Sequence, residues 1–182
     1  GSPVIPVGSY IDPWGDAIEQ QIDTDEKLNN MENLSFNRLE SVASGSYTVP
    51  TQLAVTNGHF GAVSIGNRKL FAYVYPGATY ESMRKGAGHV DGTFTWNGNV
   101  ALCGHNRGSW PYFGTLKNVQ VGDIITYRTS LGVRTYRVTS AGRIAATNTA
   151  VLNPTADNRI TLLTCIANEP SYRLCVVGQE IN

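Results

Sequence analysis

The chain has 182 residues, of which 41% are hydrophobic and 15% charged, with 19 glycines. This is the make-up of one globular domain, large enough to stand without a metal or a disulfide framework. Basic and acidic side chains number 14 each, so no basic field exists to hold a nucleic acid, and none is expected as a partner. No run approaches the roughly 20 apolar residues that cross a bilayer.

The chain opens Gly1-Ser2 without a methionine, which reads as a processed end from which an export or anchor segment has been removed. Any attachment to a membrane is expected through that segment alone. The first 45 residues carry eight of the 14 acidic side chains and most of the helical patterning. Asp12 and Pro13 suit the N-cap and first position of a helix, and Leu28, Met31, Leu34, Leu39 and Val42 then recur at three- to five-residue spacing. Gly45 stands where a helix would end. Residues 1–45 are therefore expected to form a helical appendage, and residues 46–182 a β-rich domain.

Past Gly45 the pattern changes to short β-rich runs separated by Gly, Asn and Pro. They are Phe60 to Ile65, Lys69 to Tyr75, Gly92 to Trp96, Asn99 to Cys103, Asp123 to Thr129, Val133 to Thr139, Arg159 to Cys165 and Tyr172 to Gln179. Eight short strands predict a mainly β fold, a closed barrel or a sandwich. Asn97-Gly98 predicts a hairpin between Trp96 and Asn99, and Ser130-Leu131-Gly132 predicts the next. Tyr80 to Gly86 suits one helical turn, and Ala141 to Asn158 reads as a long connection with a strand inside it.

The chemistry-bearing residues are few. Among three histidines, His59 stands at a strand edge and His89 in the Gly86-Ala87-Gly88 loop. His105 closes the apolar strand Val100-Ala101-Leu102-Cys103-Gly104, where scaffolds display functional groups. Three cysteines, Cys103, Cys165 and Cys175, form no C-x-x-C pair. Cys165 ends the run Ile160-Thr161-Leu162-Leu163-Thr164-Cys165, and Arg173 opens the next strand. A hairpin between them would bring a guanidinium beside the thiol, where it would favour thiolate or hold an oxyanion. Cys103 stands two residues before His105 and Cys175 two after Arg173, so either could line a pocket there, but buried packing is the favoured reading of both thiols.

Thr161-Leu162-Leu163-Thr164-Cys165 resembles the T-L-x-T-C signature of the sortases, cysteine transpeptidases of Gram-positive cell surfaces, and Arg173-Leu174-Cys175-Val176-Val177 resembles their R-L-x-V-x strand. Ala101 to His105 is similar to the strand end that carries the family histidine. Phe113-Gly114-Thr115-Leu116 and Val119 to Asp123 resemble the family's phenylalanine-leucine segment and G-D turn. The likeness covers about residues 58 to 180.

The resemblance implies an eight-stranded sortase-type β-barrel with short helices in its loops, Cys165 ending the seventh strand, Arg173 on the eighth and His105 just after the fourth. It implies that Cys165 attacks the threonine carbonyl of an L-P-x-T-G-like sorting signal to form a thioacyl enzyme, which an amine resolves. His105 would be general acid and base, and Arg173 the oxyanion and substrate holder, with Thr164 a secondary pocket residue. The partners implied are the sorting-signal peptide of surface proteins and a cell wall precursor or a pilin lysine as amine, at the outer face of a Gram-positive membrane. No cofactor is implied. No metal is expected, since the carboxylates around the barrel show no ligand spacing. Asp12-Pro13-Trp14 resembles the lid of pilus-building class C members, which would make Asp12 and Trp14 a cover for the site. The rival readings are a plain cysteine protease, which would hydrolyse the intermediate, and a non-catalytic wall-binding β-domain, in which Cys165 would be unreactive.

Overall fold

The computed structural model describes residues 53–165, at Cys165 the backbone alone, and residues 171–181. The helices expected in the first 45 residues, and with them Asp12 and Trp14, lie outside the described residues. Eight strands close into one barrel: β1 (Gly61–Ile65), β2 (Leu70–Pro76), β3 (Ala87–His89), β4 (Asn99–Cys103), β5 (Ile124–Thr129), β6 (Gly132–Ala145), β7 (Arg159–Cys165) and β8 (Tyr172–Glu180). Around the barrel the order is β1-β2-β3-β4-β7-β8-β6-β5, with β5 returning to β1. The β2–β3 and β4–β7 pairs are parallel and the others antiparallel.

Alternation along each strand divides the side chains between two clusters. Val63, Ile65, Val74, Val100, Leu102, Ile125, Tyr127, Tyr136, Ile160, Leu162 and Val176 fill the barrel. Ala101, Cys103, Leu163 and Cys175 stand on the other face of β4, β7 and β8 and pack with Met83 and Leu152. Met83 comes from α1 (Tyr80–Lys85) and Leu152 from a 3-10 turn at Thr149–Leu152. β4 is buried on both faces, so its sequence is a near-continuous apolar run, as a parallel-paired inner strand requires.

The expected strand count is met, with one exchange. Gly92 to Trp96 is not a strand: it is turn-rich and makes one parallel bridge, Phe94 to Val100. Ala87–His89, expected as a loop, is a strand instead. Its glycines explain why: a Cβ on Gly86 would strike the Tyr73 carbonyl, and one on Gly88 the Gly77 carbonyl. The glycines that read as loop residues are what let β3 approach β2 this closely.

Nor does Asn97-Gly98 turn a hairpin. Gly98 has φ +76° and lies against the Phe94 ring. Its N–H donates to Asn158 Oδ1 at 2.8 Å, and its carbonyl accepts from Arg159 N at 3.1 Å, so the turn is tied to the start of β7. β6 runs on to Ala145, six residues past its expected end. Its second half is mostly exposed, and it is held by backbone pairing to β8 after a bulge at Val138/Ser140. The Ser130-Leu131 turn joins β5 to β6 as expected.

Candidate active site

The parallel pairing of β4 with β7 continues past the end of β4. Cys103 is in register with Leu163. The next residue, Gly104, donates its N–H to the Leu163 carbonyl at 3.1 Å, and its own carbonyl accepts the Thr164 hydroxyl at 2.6 Å. Gly104 has no room for a side chain, because a Cβ would stand 2.7 Å from the Phe113 ring. The Phe113 N–H in turn donates to the His105 carbonyl at 2.9 Å. These four contacts fix the backbone on both sides of His105.

The His105 side chain is itself buried, at 6% exposure. Its Nε2 meets no hydrogen-bond partner among the described residues, and burial pulls the imidazole down to about 4. The resting ring is therefore neutral near pH 7, below the poise expected of a histidine that shuttles protons. Tyr80, the first residue of α1, sets its ring 5.5 Å from the imidazole at 62°.

Across β7, the register with β8 sets Cys165 opposite Arg173 and Leu163 opposite Cys175. Arg173 is 3% exposed and its Nη1 donates to the Tyr172 carbonyl at 3.1 Å. Thus β4, β7 and β8 are adjacent, and His105, Cys165 and Arg173 fall at the same end of the three. Thr164 is buried, with its hydroxyl on Gly104.

The other candidates have structural employment. His89 is buried, and its Nε2 donates to the Phe94 carbonyl at 2.8 Å. His59 stacks on Tyr73 with centroids 4.1 Å apart. Cys103 and Cys175 are buried on either side of Leu163, two strand spacings apart. That separation, about 9.5 Å, is beyond disulfide reach. Burial pushes the Cys175 thiol up to about 12, so it does not furnish a thiolate. The Gly122-Asp123 turn is a brace: Asp123 pairs with Arg68 at 2.7 Å and accepts from Gln120 N at 2.9 Å, which holds its carboxyl down at about 2.

Two parts of the surroundings escaped the sequence reading. One is the packing of Phe113 on Gly104. The other is the aromatic group of Tyr80 and Trp110 beside His105, whose centroids are 6.2 Å apart.

The sortase domain family matches residues 63–181. The chain belongs to the sortase family. Sortases are cysteine transpeptidases of Gram-positive cell surfaces, and the eight-stranded closed barrel described here is their fold. Sortase A of Listeria monocytogenes is 30% identical over 171 residues, which span 90% of this chain and 76% of the relative. A solved structure of Listeria monocytogenes sortase A superimposes with a TM-score of 0.62 at 28% identity, covering 69% of this chain and 89% of that one. Sortase C1 of group B Streptococcus pilus island 1 shares the fold, with a TM-score of 0.68 at 22% identity over 91% of this chain and 95% of that one. Among the described residues of this sortase no helix is long and apolar enough to cross a membrane.

Proposed function

We propose that the chain cleaves an L-P-x-T-G-like sorting signal after its threonine and joins the released carboxyl end to an amine of a cell wall precursor, on the outer face of a Gram-positive membrane. The observation that carries this reading is the convergence of His105, Cys165 and Arg173 at one end of β4, β7 and β8. On this reading the domain from residue 46 onward is the catalytic unit and the first 45 residues are an appendage to it.

The chemistry balances on these three groups. The Cys165 thiol passes its proton to His105, and the thiolate attacks the threonine carbonyl carbon. The oxygen that becomes negative is held by the Arg173 guanidinium. Collapse breaks the scissile C–N bond as the imidazolium gives its proton to the departing amine, leaving a thioacyl enzyme. An incoming amine attacks the thioester and gives its proton to His105; the C–S bond breaks as the new amide forms, and the imidazolium returns the proton to the departing thiolate. Because burial holds His105 neutral, few resting molecules carry the ion pair, and turnover is slow.

The test is incubation of a labelled sorting peptide with and without a primary amine, with products resolved by chromatography and mass. An amine-dependent ligated product supports transpeptidation. Hydrolysed peptide alone, at any amine concentration, would instead fit a cysteine protease.

A further inference from the structure

Among the described residues, the Nε2 of His105 lacks the partner that commonly orients a catalytic base. In nucleophile–base pairs a third group holds the base, often a carboxylate. Here Nε2 is buried without a hydrogen-bond partner among the described residues, and burial lowers the proton affinity of the ring. Among the described residues no carboxylate acts on it. The neighbouring strands carry His89 on β3, Arg159 and Cys165 on β7, and Tyr172, Arg173, Cys175 and Glu180 on β8, and of the β7 and β8 groups Cys165, Tyr172 and Arg173 stand at the His105 end.

What does lie against the imidazole is an aromatic ring. Tyr80 meets it with centroids 5.5 Å apart at 62°, and Trp110 meets Tyr80 at 6.2 Å and 88°. Arg84, on the same helix as Tyr80, stands 5.7 Å from the Trp110 ring centre and is ion-paired to Glu81. The helix that presents Tyr80 is pinned at its start. Thr79 caps it by accepting from Ser82 N at 3.0 Å, and the Ser82 hydroxyl donates to the Pro76 carbonyl at 2.9 Å. The position of the Tyr80 ring is thereby set by α1.

We propose that Tyr80 is a positioning residue for His105, its ring orienting the imidazole and favouring the imidazolium formed when Cys165 gives up its proton, the part a carboxylate takes at other sites. The inference rests on the assignment of His105 and Cys165 as a proton-exchanging pair. An aromatic ring attracts a cation that stands over its face within about 6 Å of the centroid, the more so when both are shielded from water, and a T-shaped pair at 5.5 Å is within that distance. A ring suits this site because it adds no charge. A carboxylate here would compete with the Cys165 thiolate for the imidazolium and for Arg173. Trp110 packs edge-on with Tyr80, at 6.2 Å between centroids.

The experiment reads the pair without any peptide substrate: the rate of alkylation at Cys165 by iodoacetamide, followed by peptide mass as a function of pH. In the wild type the rate near pH 7 reports thiolate paired with imidazolium, whereas well above the ordinary thiol range near 8.5 it reports simple ionisation. Tyr80→Leu, which keeps apolar bulk and removes the ring, is expected to lower the rate near neutrality roughly 10-fold and leave the alkaline rate unchanged. Tyr80→Phe is expected to stay within about two-fold of wild type at both.

A structural defect would depress both limbs, so equal loss at neutral and alkaline pH in Tyr80→Leu overturns the proposal. So does a neutral rate within two-fold of wild type, or a Tyr80→Phe protein as impaired as Tyr80→Leu, which would assign the effect to the hydroxyl. If the wild type itself has no neutral limb that His105→Ala removes, the pairing of His105 with Cys165 fails, and the role of Tyr80 fails with it.

Discussion

The Thr164 hydroxyl donates to the Gly104 carbonyl across 2.6 Å, joining the residue before Cys165 to the residue before His105. One buried hydrogen bond thereby ties the ends of β7 and β4 together at the point where nucleophile and base must meet. Its value is geometric as well as energetic, since the carbonyl it satisfies belongs to the backbone that carries His105.

Thr164→Val keeps the shape and removes the donor. It is expected to cost about 1–3 kcal/mol, because a buried acceptor is left unsatisfied, and to lower single-turnover acylation at least 10-fold. Thr164→Ser is expected to recover most of both. Denaturant unfolding beside stopped-flow acylation checks this, and a valine protein as active as the wild type would show that the bond does not position His105.

Gly104 is a second lock on the same backbone. In Gly104→Ala the new methyl would meet the Phe113 ring at 2.7 Å, and such overpacking typically costs about 1–3 kcal/mol. Because Phe113 N also holds the His105 carbonyl, activity is expected to fall with stability. The double variant Gly104→Ala/Phe113→Leu makes room for the methyl and is expected to regain part of the lost stability. Additive losses in the cycle would contradict a direct clash.

How much of this was legible in the sequence depends on how local the cause is. β4 and β7 were expected over the residues they occupy, because their runs are rich in apolar and β-branched residues. β3 was not, because Gly86 and Gly88 are selected by carbonyls of Tyr73 and Gly77, in segments their own sequence does not announce. The second half of β6 has no apolar alternation and exists through pairing with β8. Within the site, His105, Cys165 and Arg173 stand out as polar residues at ends of apolar strands. Tyr80 does not, since its approach to His105 depends on how α1 packs against the barrel.

Burial of two histidines sets a pH dependence of stability. His89 and His105 are both held down to about 4 by burial, against an unfolded value near 6.5. Between these values the unfolded chain binds protons that the native state refuses, so stability is complete above about 6.5 and falls as pH drops toward 4. Each histidine contributes a slope of about 1 kcal/mol per pH unit in that window. Denaturant midpoints measured from pH 7 to 4 are expected to fall, and His105→Gln to reduce the slope by about half. An unchanged slope in that variant would mean His105 protonates freely in the fold.

The most direct test of the account is intact-mass measurement of the protein after incubation with L-P-x-T-G-like peptides, beside the Cys165→Ala variant. The account predicts an added mass equal to the peptide truncated after threonine, present in the wild type, absent from Cys165→Ala, and discharged by a primary amine. A wild-type protein that acquires no such mass although Cys165 is alkylated by iodoacetamide, or an adduct that persists in Cys165→Ala, would contradict it.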